Sequence, residues 1–149
     1  MRDHRLYVII QPERGGLLYC RSEADGTTVC RGPLKVGETC VRYLKAFLKA
    51  GRGSIPRDML ARLAGQSNPA LVAGDLHRVV RPAHERLGLD PRPTGPRGRK
   101  GRGGRNWGGI ACLPDGSYCL LAAIRLLNPA DPQDLLEIRL LELLARQAV

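Results

Sequence analysis

The sequence predicts an α+β fold: an N-terminal antiparallel sheet, a three-helix unit, a C-terminal β-hairpin and an added C-terminal helix. Three observations carry that expectation. Apolar and β-branched runs separated by turn residues fill the first third of the chain. Apolar side chains at helical spacing recur in three stretches between 38 and 87. A Pro/Gly/Arg-rich break then precedes a second hairpin and one more helical pattern. At 149 residues and 43% hydrophobic content the chain suits one domain with a real core, 1–128, and an appended helix, 129–149. Aromatics make up only 4%, so that core is aliphatic.

Residues 6–10, LYVII, read as a strand that Gly15-Gly16 breaks. Residues 17–21 and 27–31 flank Ala24-Asp25-Gly26, a hairpin turn that as a three-residue loop sets Cys20 opposite Cys30. A first helix over 38–50 follows from Val41, Leu44, Phe47 and Leu48, with Gly37 as N-cap and Gly51 as terminator. Pro56 opens a second helix, 56–64, that buries Leu60 and Leu63 and stops at Gly65. Asn68-Pro69 starts a third stretch running to Leu87, with Val72, Leu76, Val79, Val80 and Leu87 inward and His77, Arg78, Arg81, His84, Glu85 and Arg86 outward. Pro82 kinks or divides it, because proline lacks an N–H and crowds the preceding turn. Residues 110–113 and 117–121 form the second hairpin around Pro114-Asp115-Gly116. Asp131-Pro132 opens a terminal helix to about Ala148. Its leucines span a wider arc than one core face needs: Leu136, Leu140, Leu143 and Leu144 form a seam, with Leu135, Ile138 and Leu141 beside it. Either intramolecular packing or a dimer interface would use that arc.

Charge narrows the function. The net charge is +10, and from His77 to Arg105 nine Lys/Arg stand against Glu85 and Asp90, holding +7 in 29 residues. A basic side of this kind points to nucleic acid, an anionic surface or an acidic protein partner. Residues 91–105, PRPTGPRGRKGRGGR, offer no large apolar side chain and read as the mobile part of a basic loop, 91–109. The charged start Met1–Arg5 and the short apolar run Leu6–Ile10 fit neither a signal peptide nor a membrane span, which predicts a cytoplasmic protein. Five cysteines without disulfide or zinc spacing read as small buried residues in a reducing compartment. Only His4, His77 and His84 could complete a metal site, so no cofactor or metal is expected; His77 and His84, seven apart, could share one helical face. No Gly-x-Ser-x-Gly, His-Glu-x-x-His, phosphate loop or carboxylate cluster supports catalysis, and no enzyme is predicted.

A three-helix unit followed by a hairpin is the winged-helix order. Over about 6–121 the chain resembles the winged-helix effector domain of bacterial two-component response regulators. The leading sheet, the run Ile55-Pro56-Arg57-Asp58-Met59-Leu60 and the ending Gly116-Ser117-Tyr118-Cys119-Leu120 carry the resemblance. The absent receiver domain, Pro82 and the long basic insertion depart from it. The resemblance implies DNA binding through the third helix and the wing, in transcriptional or nucleoid regulation. Pro96-Arg97-Gly98-Arg99 resembles an AT-hook core, suited to a narrow A·T minor groove, and the tract also resembles an RGG box that favours RNA. The candidate nucleic-acid contacts are Arg78, Arg81, Arg86, Arg92, Arg97, Arg99, Lys100, Arg102 and Arg105. A solvated helix face with Arg81 paired to Glu85 is the plainer reading of the third stretch. The partner alternatives are RNA, RNA polymerase or the ribosome, and the chain is a monomer or homodimer.

Overall fold

A computed structural model describes residues 3–11, 15–51, 54–89, 105–107, 110–113, 115–121 and 123–147. The fold is α+β. Its first sheet begins with β1 (Asp3–Ile10), β2 (Gly16–Ala24) and β3 (Thr27–Val36), paired antiparallel. The β2–β3 turn is one residue shorter than the sequence suggested. Ala24 pairs with Thr27, leaving Asp25 (φ 52) and Gly26 (φ 76), both in the left-handed region that tight hairpins require. That single-residue change sets Cys20 against Arg31 and Arg21 against Cys30. Because side chains alternate across a strand, the two thiols lie on opposite faces of the sheet. A fourth strand without an expected counterpart, β8 (Ala123–Leu127), lies parallel to β1 through Leu6↔Ile124 and Val8↔Leu126. The order is β3-β2-β1-β8, so the sheet is mixed rather than purely antiparallel.

The two faces of this sheet bury two cores. Leu6, Val8, Leu18 and Cys20 face the helices that follow, while Tyr7, Ile9, Tyr19, Cys30 and Leu127 face the terminal helix. Helix α1 (Glu38–Ala50) has the predicted bounds and inserts Val41, Tyr43, Leu44 and Phe47 into the first core. A two-residue strand, β4 (Ser54–Ile55), separates it from α2 (Arg57–Ala64), which buries Leu60, Ala61 and Ala64 and ends at the left-handed Gly65.

The stretch expected as one kinked helix is four pieces. A 3₁₀ turn at Pro69–Leu71 leads into α3 (Val72–Asp75), then a π turn at Leu76–Val80, then α4 (Arg81–Arg86). Asn68 caps the start by accepting from the Ala70 N–H at 3.1 Å. The π turn lies directly before Pro82 and relieves its clash with the carbonyl four residues back. It also stretches the inward repeat to four residues, so Val72, Leu76, Val80 and His84 all point into the core. The outward placement of His84 is therefore wrong: its side chain is 0% exposed, whereas His77 is exposed.

The second sheet joins β5 (Arg105–Trp107), β6 (Ile110–Cys112) and β7 (Tyr118–Leu120) to β4, in the antiparallel order β4-β7-β6-β5. Residues 105–107, assigned by sequence to the basic loop, are thus a strand. Chain entry into the terminal helix α5 (Pro132–Gln147) is fixed by polar contacts. Asp131 accepts from the Gln133 N–H at 2.9 Å, and Asp134 from the Asn128 N–H at 3.0 Å. Ile138 and Leu141 cover the outer face of the first sheet. Among the described residues no helix is long and apolar enough to cross a membrane.

Candidate nucleic-acid interface

The third stretch presents Arg78, Arg81 and Arg86 on its outer surface, and the first two are engaged within the helix. Arg78 donates from Nε to the Gly74 carbonyl at 3.3 Å and approaches Asp75 at 3.7 Å. Asp75 is committed elsewhere: one carboxylate oxygen accepts from the Tyr43 hydroxyl at 2.6 Å and from Gln66 at 2.8 Å. Burial, and then the bond to the Asp75 carboxylate, push the Tyr43 phenol above its ordinary range, so it stays a donor. This triad ties α1, the turn after α2 and α3 together beneath Arg78, whose side chain is 72% exposed. Arg81 donates to Glu85 at 2.7 Å and contacts the His77 ring at 3.2 Å. The plain i,i+4 pairing is therefore present. Arg86 is exposed at the end of α4.

The described chain leaves this helix at Leu89 and resumes at Arg105. Gly88 ends the helix in the left-handed region (φ 72), with the guanidinium of Arg31 from β3 lying against it. Arg105 pairs with Cys112, next to the turn over 113–117, and β5 lies against α4. Both ends of the basic segment are thus anchored to the sheet and helices around α4. Arg92, Arg97, Arg99, Lys100 and Arg102 lie outside the described residues.

The turn between β6 and β7 is internally braced. Asp115 accepts from both the backbone N–H (2.9 Å) and the hydroxyl (2.6 Å) of Ser117, and these bonds lower its carboxyl below the usual range. An open groove runs between this turn and the start of α2, lined by Pro56, Arg57, Asp58, Asp115 and Ser117. Its charge is mixed, with two carboxylates beside Arg57. Arg31, beside Gly88, and Arg57, at the start of α2 in this groove, are not among the sequence-predicted contacts, because contacts between distant elements place each of them.

Three of the five cysteines fit the expected packing role, whereas Cys112 and Cys119 are only partly buried. Cys20, Cys30 and Cys40 are buried, and burial pushes the Cys30 thiol up to about 11 and that of Cys40 up to about 12. Thiols held so far from ionisation are poor nucleophiles and poor metal ligands at neutral pH. Among the described residues, no three His, Cys, Asp or Glu side chains gather as a metal site. Compared with known proteins, the chain matches no protein family, no curated protein and no solved structure.

Proposed function

We propose that this chain is a winged-helix DNA-binding protein acting in transcriptional or nucleoid regulation. One observation carries the reading. The two-residue strand β4, between α1 and α2, pairs through Ser54↔Cys119 and Ile55↔Tyr118 with the returning strand of the β6–β7 hairpin. Closure of the helical unit by a hairpin in this way fits the winged-helix arrangement, in which the third helical stretch enters the major groove and the hairpin reaches the adjacent backbone. The basic segment between third helix and wing supplies the phosphate-neutralising charge, with Arg97-Gly98-Arg99 suited to a narrow minor groove. Arg78, Arg81 and Arg86 are the base- and backbone-contacting side chains of the third stretch, and Arg105 brings the basic segment to the wing.

Arg81 must exchange Glu85 for DNA to read a base, an exposed pair that costs little to open. The test is titration of the full chain against an A·T-rich duplex, a mixed-sequence duplex and single-stranded RNA at equal salt. Tighter binding to duplex than to RNA supports the reading. Preference for RNA would promote the Gly/Arg tract to an RNA contact, and no binding to any of the three would favour an acidic protein partner such as RNA polymerase or the ribosome.

A further inference from the structure

Helix α5 is apolar on two sides. Its inner side, Ile138 (7% exposed) and Leu141 (1%), covers the first sheet, with Leu144 and Ala145 packed beside them. Leu144 thus belongs to the intramolecular face rather than to the open seam. On the opposite side Leu136, Leu140 and Leu143 remain 70%, 42% and 52% exposed. At 100° per residue these three fall within one narrow stripe pointing directly away from the sheet. Their spacings of four and three are those of a two-helix seam. A single monomeric core has no use for this second stripe.

We infer that a second copy of this chain covers the stripe, with the two α5 helices side by side and parallel. Charge decides both the partner and the direction. Helix α5 carries Asp134, Glu137 and Glu142 against Arg139 and Arg146, a net −1 on a chain of +10. Two copies therefore meet on the surface where the repulsion between them is weakest. The borders of the stripe differ in sign: Arg139 lies along one and Glu137 along the other, while Arg146 turns toward Tyr19 and Pro33 of the first sheet. A parallel pair related by a two-fold axis along the helices sets Arg139 of one copy beside Glu137 of the other, whereas an antiparallel pair sets arginine against arginine. The pairing holds whether or not the basic surface binds DNA.

Sedimentation of the full chain at micromolar concentration tests it. The wild type sediments as a dimer. Leu140→Glu, at a position open to water in the monomer, keeps the circular dichroism and melting of the wild type and raises the dissociation constant at least about tenfold. Leu136→Ser provides the same reading should the charged variant fold poorly. Arg139→Glu weakens the dimer, and Glu137→Arg added to it restores association. A monomeric wild type, or a dimer indifferent to both leucine changes, would overturn the inference. Tighter association of Arg139→Glu alone would overturn the parallel direction.

Discussion

The third helical stretch and α5 each turn one side to a core and one to water, and their outer sides are opposites. Over 69–86 the outer side is mostly polar, with Leu71 the one large apolar side chain exposed on it, and Arg81 is held by Glu85 while Arg78 lies 3.7 Å from Asp75. The backbone there is irregular, passing through 3₁₀, α and π turns before Pro82. Helix α5 runs sixteen residues without interruption and leaves three leucines open to water. A charged outer side is accounted for by solvation and local pairing, so any function it has under the proposed reading comes from what adjoins it, the basic segment and the β6–β7 hairpin. An apolar outer side has no such account and calls for a partner.

The largest effect expected from this contrast separates neighbouring leucines. Leu141→Ala empties a filled site under α5 and costs about 3 kcal/mol, while Leu140→Ala one residue earlier changes the stability of the monomer by less than about 0.5 kcal/mol. Denaturant unfolding of the two variants at concentrations where the chain is monomeric checks this. Similar losses at both sites would mean that the two sides of α5 are not distinct.

Next is the triad that fixes the third stretch. Asp75→Ala strips Tyr43 and Gln66 of their shared acceptor and costs about 2 kcal/mol, measurable as a lower denaturation midpoint. The same triad gives a pH dependence. The Tyr43 phenol is raised above its ordinary value of 10.0, so the native chain keeps a proton that the unfolded chain releases. Its contribution is complete below pH 10 and is lost as pH climbs through the raised native value. Tyr43→Phe therefore flattens the alkaline fall in stability, and an unchanged slope would assign that fall to the buried thiols instead. The smallest effect on stability belongs to Arg81→Ala. Its exposed pair with Glu85 contributes less than about 0.5 kcal/mol to folding, yet its loss reduces discrimination between specific and random duplex by about 1 kcal/mol or more.

What was legible in the sequence follows the same division. Helices α1, α2 and α5 came out close to their observed bounds because their signals, apolar period and cap, are local. Strands β4 and β8 were missed because their pairing is not: β4 has two residues, and β8 joins β1 across more than a hundred positions. The Cys20–Cys30 register failed by one residue, since Ala24-Asp25-Gly26 is read equally well as a three-residue loop or as a strand end followed by Asp25-Gly26. Pro82 announced an irregular helix, but not that a π turn would carry His84 inward. The basic surface was visible as composition, while Arg31 at Gly88, and Asp75 beneath Arg78, depend on contacts between distant elements that no spacing encodes.

The central claim is that the basic segment between the third helix and the wing binds duplex DNA through phosphates, and salt dependence tests it most directly. With the six basic residues of 92–105 engaged, the logarithm of duplex affinity falls against the logarithm of salt with a slope of about −5, from about 0.9 counterions released per contact. Replacing Arg97, Arg99, Lys100 and Arg102 together with glutamine flattens that slope by about 3.6 units while the fold melts unchanged. A slope that stays the same in the quadruple variant would contradict the account and remove the basic segment from the interface.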